Sequence, residues 1–204
     1  MHLSLATAIG TISAVFGFLM GAYQLHRAYK VGIDGISLAT WCSFGYLAVW
    51  WSAYGFAINS PESAWGNIAT IPVIFLVVRK LDWKNGIRTL YINLLVVVLI
   101  PGLMTAIGGW SVGVVGVGAI ALWNRFPQIL KCIRYKDVEG VSASGWLIGT
   151  ICSMFWTYYF YLVHQWYTFY MNICLTTASL TIVVLSLWRQ LQWKKDQLAV
   201  IRGH

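Results

Sequence analysis

The chain has 204 residues, 59% of them hydrophobic and 10% charged, with a net charge of +8 and a mean hydropathy of +0.69. A soluble domain cannot hide that much apolar surface, so the composition excludes an ordinary soluble fold and predicts an all-α integral membrane protein. The basic residues fall in short clusters after apolar runs and form no single patch, which excludes nucleic acid as a partner.

A spanning helix needs about 20 apolar residues at a rise of about 1.5 Å each. Stretches without Asp, Glu, Lys or Arg run over 1–26, 35–61, 63–78, 89–124 and 140–188. The first has no Lys or Arg ahead of its apolar run and no small-residue cleavage site. It is therefore expected to stay as a span and not to be removed as a signal peptide. The next two give one span each. The run 89–124 is too long for one crossing and is expected to break near Gly108-Gly109; 140–188 is expected to break near His164-Gln165. Seven transmembrane helices joined by short loops follow.

Basic residues mark every second loop. Arg27 and Lys30 follow the first span, and Arg79, Lys80, Lys84 and Arg88 the third. Lys131, Arg134 and Lys136 follow the fifth, and Arg189, Lys194, Lys195 and Arg202 the seventh. The intervening loops hold Glu62, Gly108-Gly109 and His164 instead. The positive-inside rule then puts the N-terminus outside and the C-terminus in the cytoplasm. Arg125 alone departs from the pattern. Cys42, Cys132, Cys152 and Cys174 fall in or near spans without metal-ligand spacing and read as small apolar fillers, so no metal and no cofactor is expected.

The chain matches itself. At an offset of 105, Gly35 meets Gly140, Ser37 meets Ser142, Trp41 meets Trp146, Trp51 meets Trp156, Tyr54 meets Tyr159 and Asn67 meets Asn172. Upstream the offset is 104, pairing Gln24 with Gln128, Arg27 with Lys131 and Lys30 with Arg134. Six identities at one offset are not a by-product of a Trp-rich chain. Each copy has three spans, and a second copy in the same orientation requires one crossing between them. The predicted architecture is 3+1+3: a three-helix repeat over 1–81, an inverting linker helix over 82–109, a second repeat over 110–190, and a cytoplasmic tail over 191–204.

The stretch from Phe126 to Ser142, FPQILKCIRYKDVEGVS, resembles the PQ-loop signature of the PQ-loop/MtN3/SWEET superfamily, and the 3+1+3 layout is similar over nearly the whole chain. The second copy has the full Pro127-Gln128 pair; the first has Tyr23-Gln24. The resemblance implies a bidirectional carrier of small solutes, of sugars in the SWEET branch. The superfamily also includes amino-acid transporters and a cargo receptor.

Trp51 and Asn67 each lie eight residues from residue 59, midway along the second-to-third connection, and so about 12 Å below that turn. In a hydrocarbon core about 30 Å thick, that is near the midplane. Trp156 and Asn172 repeat the arrangement around residue 164. Two Trp and two Asn related by a pseudo-two-fold axis would frame one central pocket. An Asn amide both donates and accepts, which suits hydroxyls in either role, and an indole face suits the C–H face of a sugar ring. By the resemblance, these four residues bind the solute. It also implies that Leu19, Trp123, Leu47 and Cys152 set the cavity size, and the bulk of Trp123 favours a monosaccharide or smaller.

Tyr54 and Tyr159, one turn nearer the outside, are the outer gate that the resemblance implies, although no Asp or Glu lies in the sixth-to-seventh connection to partner them. Pro127 removes a helical hydrogen bond and kinks the fifth span, and Gln24 and Gln128 can bridge the freed groups. With Arg125 at the inner mouth, these form a hinge and inner gate. The resemblance implies prolines in four spans, but Tyr23, Thr40 and Gly145 occupy the other three positions. No span contains Asp or Glu, which argues against proton coupling.

The expected function is uncoupled, facilitative transport of small neutral solutes, mono- or small saccharides first. The partners are a sugar-like molecule and the lipid bilayer, the location is the plasma membrane, and a homo-oligomer is compatible with the sequence. An amino-acid or metabolite carrier, with Arg125 meeting a carboxylate, is the alternative, as is a non-transporting receptor of the same fold. No catalytic set or phosphate loop is visible, so no enzyme is expected.

Overall fold

The computed structural model describes residues 2–30, 32–33, 36–81, 86–134 and 142–202, without the side chains at 2–4, 127, 131 and 196–202. Lys84, Lys136 and the Gly35/Gly140 pair lie outside the described residues, as does the side chain of Pro127. Every described element is helical: α1 (His2–Lys30), α2 (Leu38–Ala57), α3 (Pro61–Lys80), α4 (Ile87–Trp123), α5 (Phe126–Arg134), α6 (Ala143–Leu162) and α7 (Trp166–Arg202).

The helix starts explain the repeated serines. Ser37 caps α2, its hydroxyl accepting from the Thr40 N–H at 3.3 Å, and Ser142 caps α6 through the Gly145 N–H at 3.1 Å. A hydroxyl at that position satisfies one of the orphan N–H groups of the first turn. The α2–α3 and α6–α7 turns also repeat. Ser60 N–H donates to the Gly55 carbonyl (2.8 Å) and Gln165 N–H to the Phe160 carbonyl (2.9 Å). Asn59 and His164 both adopt positive φ, 54° and 57°. This is the hydrogen-bond pattern of a helix closed by a left-handed residue, and it recurs at the same offset of 105.

The break expected in 89–124 falls at Gly108 (φ −128°, ψ 15°) and Gly109 (φ 71°, ψ −174°) inside α4. Only glycine takes the Gly109 conformation without strain. The two limbs of α4 then fold against each other, with Gly113 directly on Thr105 and Gly116 on Met104. A second interruption separates α4 from α5 at Asn124-Arg125. There the Arg125 N–H turns to the Leu122 carbonyl at 2.9 Å, releasing the Ala121 carbonyl that a regular helix would use.

Helix α3 packs against both α1 and α2, and α7 against α4, α5 and α6; α1 meets α6 and α2 meets α4. Among the described residues, four helical stretches are long and apolar enough to cross a membrane: Leu5–Lys30, Pro61–Lys80, Ile87–Arg134 and Trp166–Lys195. The third, at 48 residues, exceeds the length of a single crossing. The 20-residue helices α2 and α6 are rich in Trp and Tyr, whose polar edges lower their hydropathy. Large apolar side chains cover the outside, among them Phe75 (63% exposed), Leu103 (60%) and Ile107 (85%).

Candidate functional site

A cavity of about 290 Å³ lies at the centre and takes wall residues from α1, α2, α3, α6, α7 and both sides of the α4–α5 break. Trp51, Asn67, Trp156 and Asn172 all line it, as do Leu47 and Cys152. The two Asn side chains are held alike. Asn67 Nδ2 donates to the Ser63 carbonyl at 2.8 Å, and Asn172 Nδ2 to the Thr168 carbonyl at 2.9 Å. Each bond is to the residue's own helix one turn back, so neither Asn joins two helices. Each keeps a second amide N–H and its carbonyl oxygen for the cavity.

Below the indoles, the two copies again agree. Trp51 meets the edge of Tyr54 (5.6 Å, 83°) and Trp156 the edge of Tyr159 (5.4 Å, 87°), the T-shaped contact aromatic quadrupoles favour. Phe160 stacks on Trp156 at 5.6 Å and touches Trp51 at 6.3 Å, filling the floor between them.

The tyrosines reach across the seam between the copies. Tyr54 OH lies 2.6 Å from Thr168 Oγ1 and donates to Gln165 Oε1 at 3.3 Å. Tyr159 OH lies 2.7 Å from Ser60 Oγ and donates to Glu62 Oε2 at 3.1 Å. Each tyrosine thus latches onto the turn of the other copy. The rings are 1% and 2% exposed, so the turn end of the cavity is sealed. The acidic partner absent from the sixth-to-seventh connection is Glu62, in the first turn of α3. The sequence contained the signal, since Ser60 and Gln165 correspond at the offset of 105, but the contact spans 97 residues and crosses between copies.

At the opposite end the walls run out to Gln24, Arg27, Ser37, Gln128 and Ser142. Tyr23, in the position matching Pro127, does not line the cavity. Its hydroxyl lies 2.8 Å from Ser144 Oγ and ties α1 to α6. Arg125 lines the wall between the break and the Asn level. Its Nε donates to Ser179 Oγ at 2.9 Å and Nη1 to the released Ala121 carbonyl at 2.7 Å, so it does not reach outward to headgroups.

Two expected wall residues lie elsewhere. Leu19 is 46% exposed, and Trp123 is 71% exposed and stacked on Phe126 at 6.2 Å. The face of α1 that meets the cavity carries Gly17, Gly21 and Gln24, and on the other copy Ala121 lines it. Leu19 is two residues from Gly17 and Gly21, and Trp123 two from Ala121, about 200° round the helix in each case. They correct the cavity-size assignment: Gly17, Met20 and Ala121 line the cavity in their place. The hydroxyls of Ser63, Thr70, Ser153 and Ser179 also line the cavity, on the faces of α3, α6 and α7, and no sequence motif marks them. Trp50 packs on Trp110 (5.6 Å) and Tyr54 (5.4 Å), against a neighbouring helix.

Residues 109–169 match the family described as PQ loop repeat, consistent with the PQ-loop/MtN3/SWEET superfamily. A search of curated proteins gives no match. The PQ-loop match and the helices long and apolar enough to cross a membrane fit a multi-pass membrane protein.

Proposed function

We propose that this PQ-loop protein is a seven-span facilitative carrier of the plasma membrane, arranged 3+1+3 with its N-terminus outside and its C-terminus in the cytoplasm. It moves small hydroxylated solutes, mono- and small saccharides first, by alternating access around Trp51, Asn67, Trp156 and Asn172. The observation that carries this reading is the matched Asn pair. Each amide is oriented by one bond to its own helix and presents its remaining donor and acceptor to a shared cavity walled by two indoles. Such groups hold hydroxyls without a charge.

With Tyr54 and Tyr159 latched, the carrier is closed on the outside and the cavity faces the cytoplasm. A solute pressing on Trp51 or Trp156 bears on the tyrosine beneath it, which links occupancy to the latch. Among the described side chains Glu62 is the single carboxylate, and it belongs to the latch and not to the cavity wall. That supports uncoupled transport.

The test is uptake of labelled glucose into liposomes holding the purified protein, with and without an imposed pH gradient. Uptake down the glucose gradient alone is expected. A requirement for the pH gradient would remove the uncoupled mechanism, and saturable binding without uptake would favour a receptor.

A further inference from the structure

The cavity is two-fold in its polar ring of Asn and Trp, but one charge breaks that symmetry. Arg125 corresponds to Gly21 in the first copy, and Ser179, which accepts from its Nε, corresponds to Ile74. All four line the cavity, so one wall carries a guanidinium and hydroxyl where the opposite wall carries a glycine and an isoleucine. A solute with no charge has no use for this difference.

Resting on the carrier reading, we infer that the preferred solute is a sugar acid, a hydroxylated ring bearing one carboxylate, and that Arg125 receives the carboxylate. A guanidinium has five N–H donors. Among the described residues one goes to Ser179 Oγ and one to the Ala121 carbonyl, leaving three, and the Trp146 ring lies 5.9 Å from the guanidinium carbon. Both bonds fix the plane of the group, and no described carboxylate faces it. An arginine enclosed by protein is ordinarily paired, and the planar fork matches a carboxylate in two-point contact. Ser179 is seven residues beyond Asn172 on α7, about 10 Å along the helix. That separation fits a sugar ring held at the Asn level with its carboxylate turned toward Arg125.

The experiment uses wild-type protein in liposomes of zwitterionic lipid, which removes anionic headgroups as a source of the anion. Uptake of labelled glucose and of labelled glucuronate is followed, and unlabelled glucuronate is compared with its uncharged methyl ester as a competitor. Glucuronate is expected to compete on the order of tenfold or more better than the ester, the scale of a charge-assisted contact. Arg125→Gln should erase that preference and Arg125→Lys should retain part of it. Equal competition by acid and ester in the wild type, or a preference surviving in Arg125→Gln, would overturn the inference. Glucose uptake without any acid preference would sink it while leaving the carrier reading intact. Uptake of neither label would remove both. Should Arg125→Gln not fold, the acid-to-ester comparison in the wild type still decides.

Discussion

The two turns that seal the cavity, 58–63 and 163–168, share a backbone and differ in what their side chains offer. Both close a helix with a left-handed residue, and both present an acceptor to the tyrosine of the other copy. One latch pairs Tyr54 with Thr168 and Gln165, all neutral; the other pairs Tyr159 with Ser60 and the carboxylate of Glu62. Backbone geometry alone therefore does not make the two halves equal. The same frame carries a weaker latch and a stronger one, since a hydrogen bond to an ionised group contributes about twice as much as a neutral one.

The largest test of this comparison lies where the copies differ most in size. Gly55 corresponds to Phe160. Phe160→Ala empties the floor between the indoles and should cost about 3–5 kcal/mol, read as a lower Tm in detergent. Gly55→Ala places a Cβ 2.5 Å from the Ala64 backbone nitrogen and should cost about 1–3 kcal/mol by forcing α2 from α3. If Phe160→Ala proves the milder change, the floor is not packed as described.

The latches come next. Tyr159→Phe should loosen the turn end by about 1.5–3 kcal/mol and Tyr54→Phe by about 0.5–1.5 kcal/mol, measured by hydrogen exchange of the amides at 58–64 and 163–168. Glu62→Gln should close most of that gap, and it should add little in a Tyr159→Phe background. Equal effects from the two tyrosines would show that Glu62 contributes no charge-assisted bond. Smallest are the left-handed residues. His164→Gly should stabilise by up to about 1 kcal/mol and Asn59→Gly by less, because Asn already tolerates positive φ. A loss at His164 would point to a contact the turn geometry does not explain.

Particular residues show how far the sequence carried. That Trp51, Asn67, Trp156 and Asn172 line one cavity is legible because duplication marks each type twice, at equal distances from matching turns. Gly108-Gly109 was legible because glycine permits a backbone that other residues resist. Leu19 and Trp123 were misread because depth does not fix azimuth. Counting one turn back from Tyr23 and Pro127 gives the level, while the face toward the cavity depends on how each helix rolls against its neighbours. Glu62 is not legible as a gate partner for another reason: the latch swaps between copies, and only the assembled fold brings position 62 to Tyr159.

The central claim is that one shared cavity, read by Asn67 and Asn172, is the path of the solute. Its most direct test is uptake by the double variant Asn67→Ala, Asn172→Ala in liposomes, after circular dichroism and thermal unfolding have matched it to the wild type. The account predicts that uptake falls to the rate of empty liposomes, with each single variant retaining part of it. Uptake by the double variant at the wild-type rate would contradict the account.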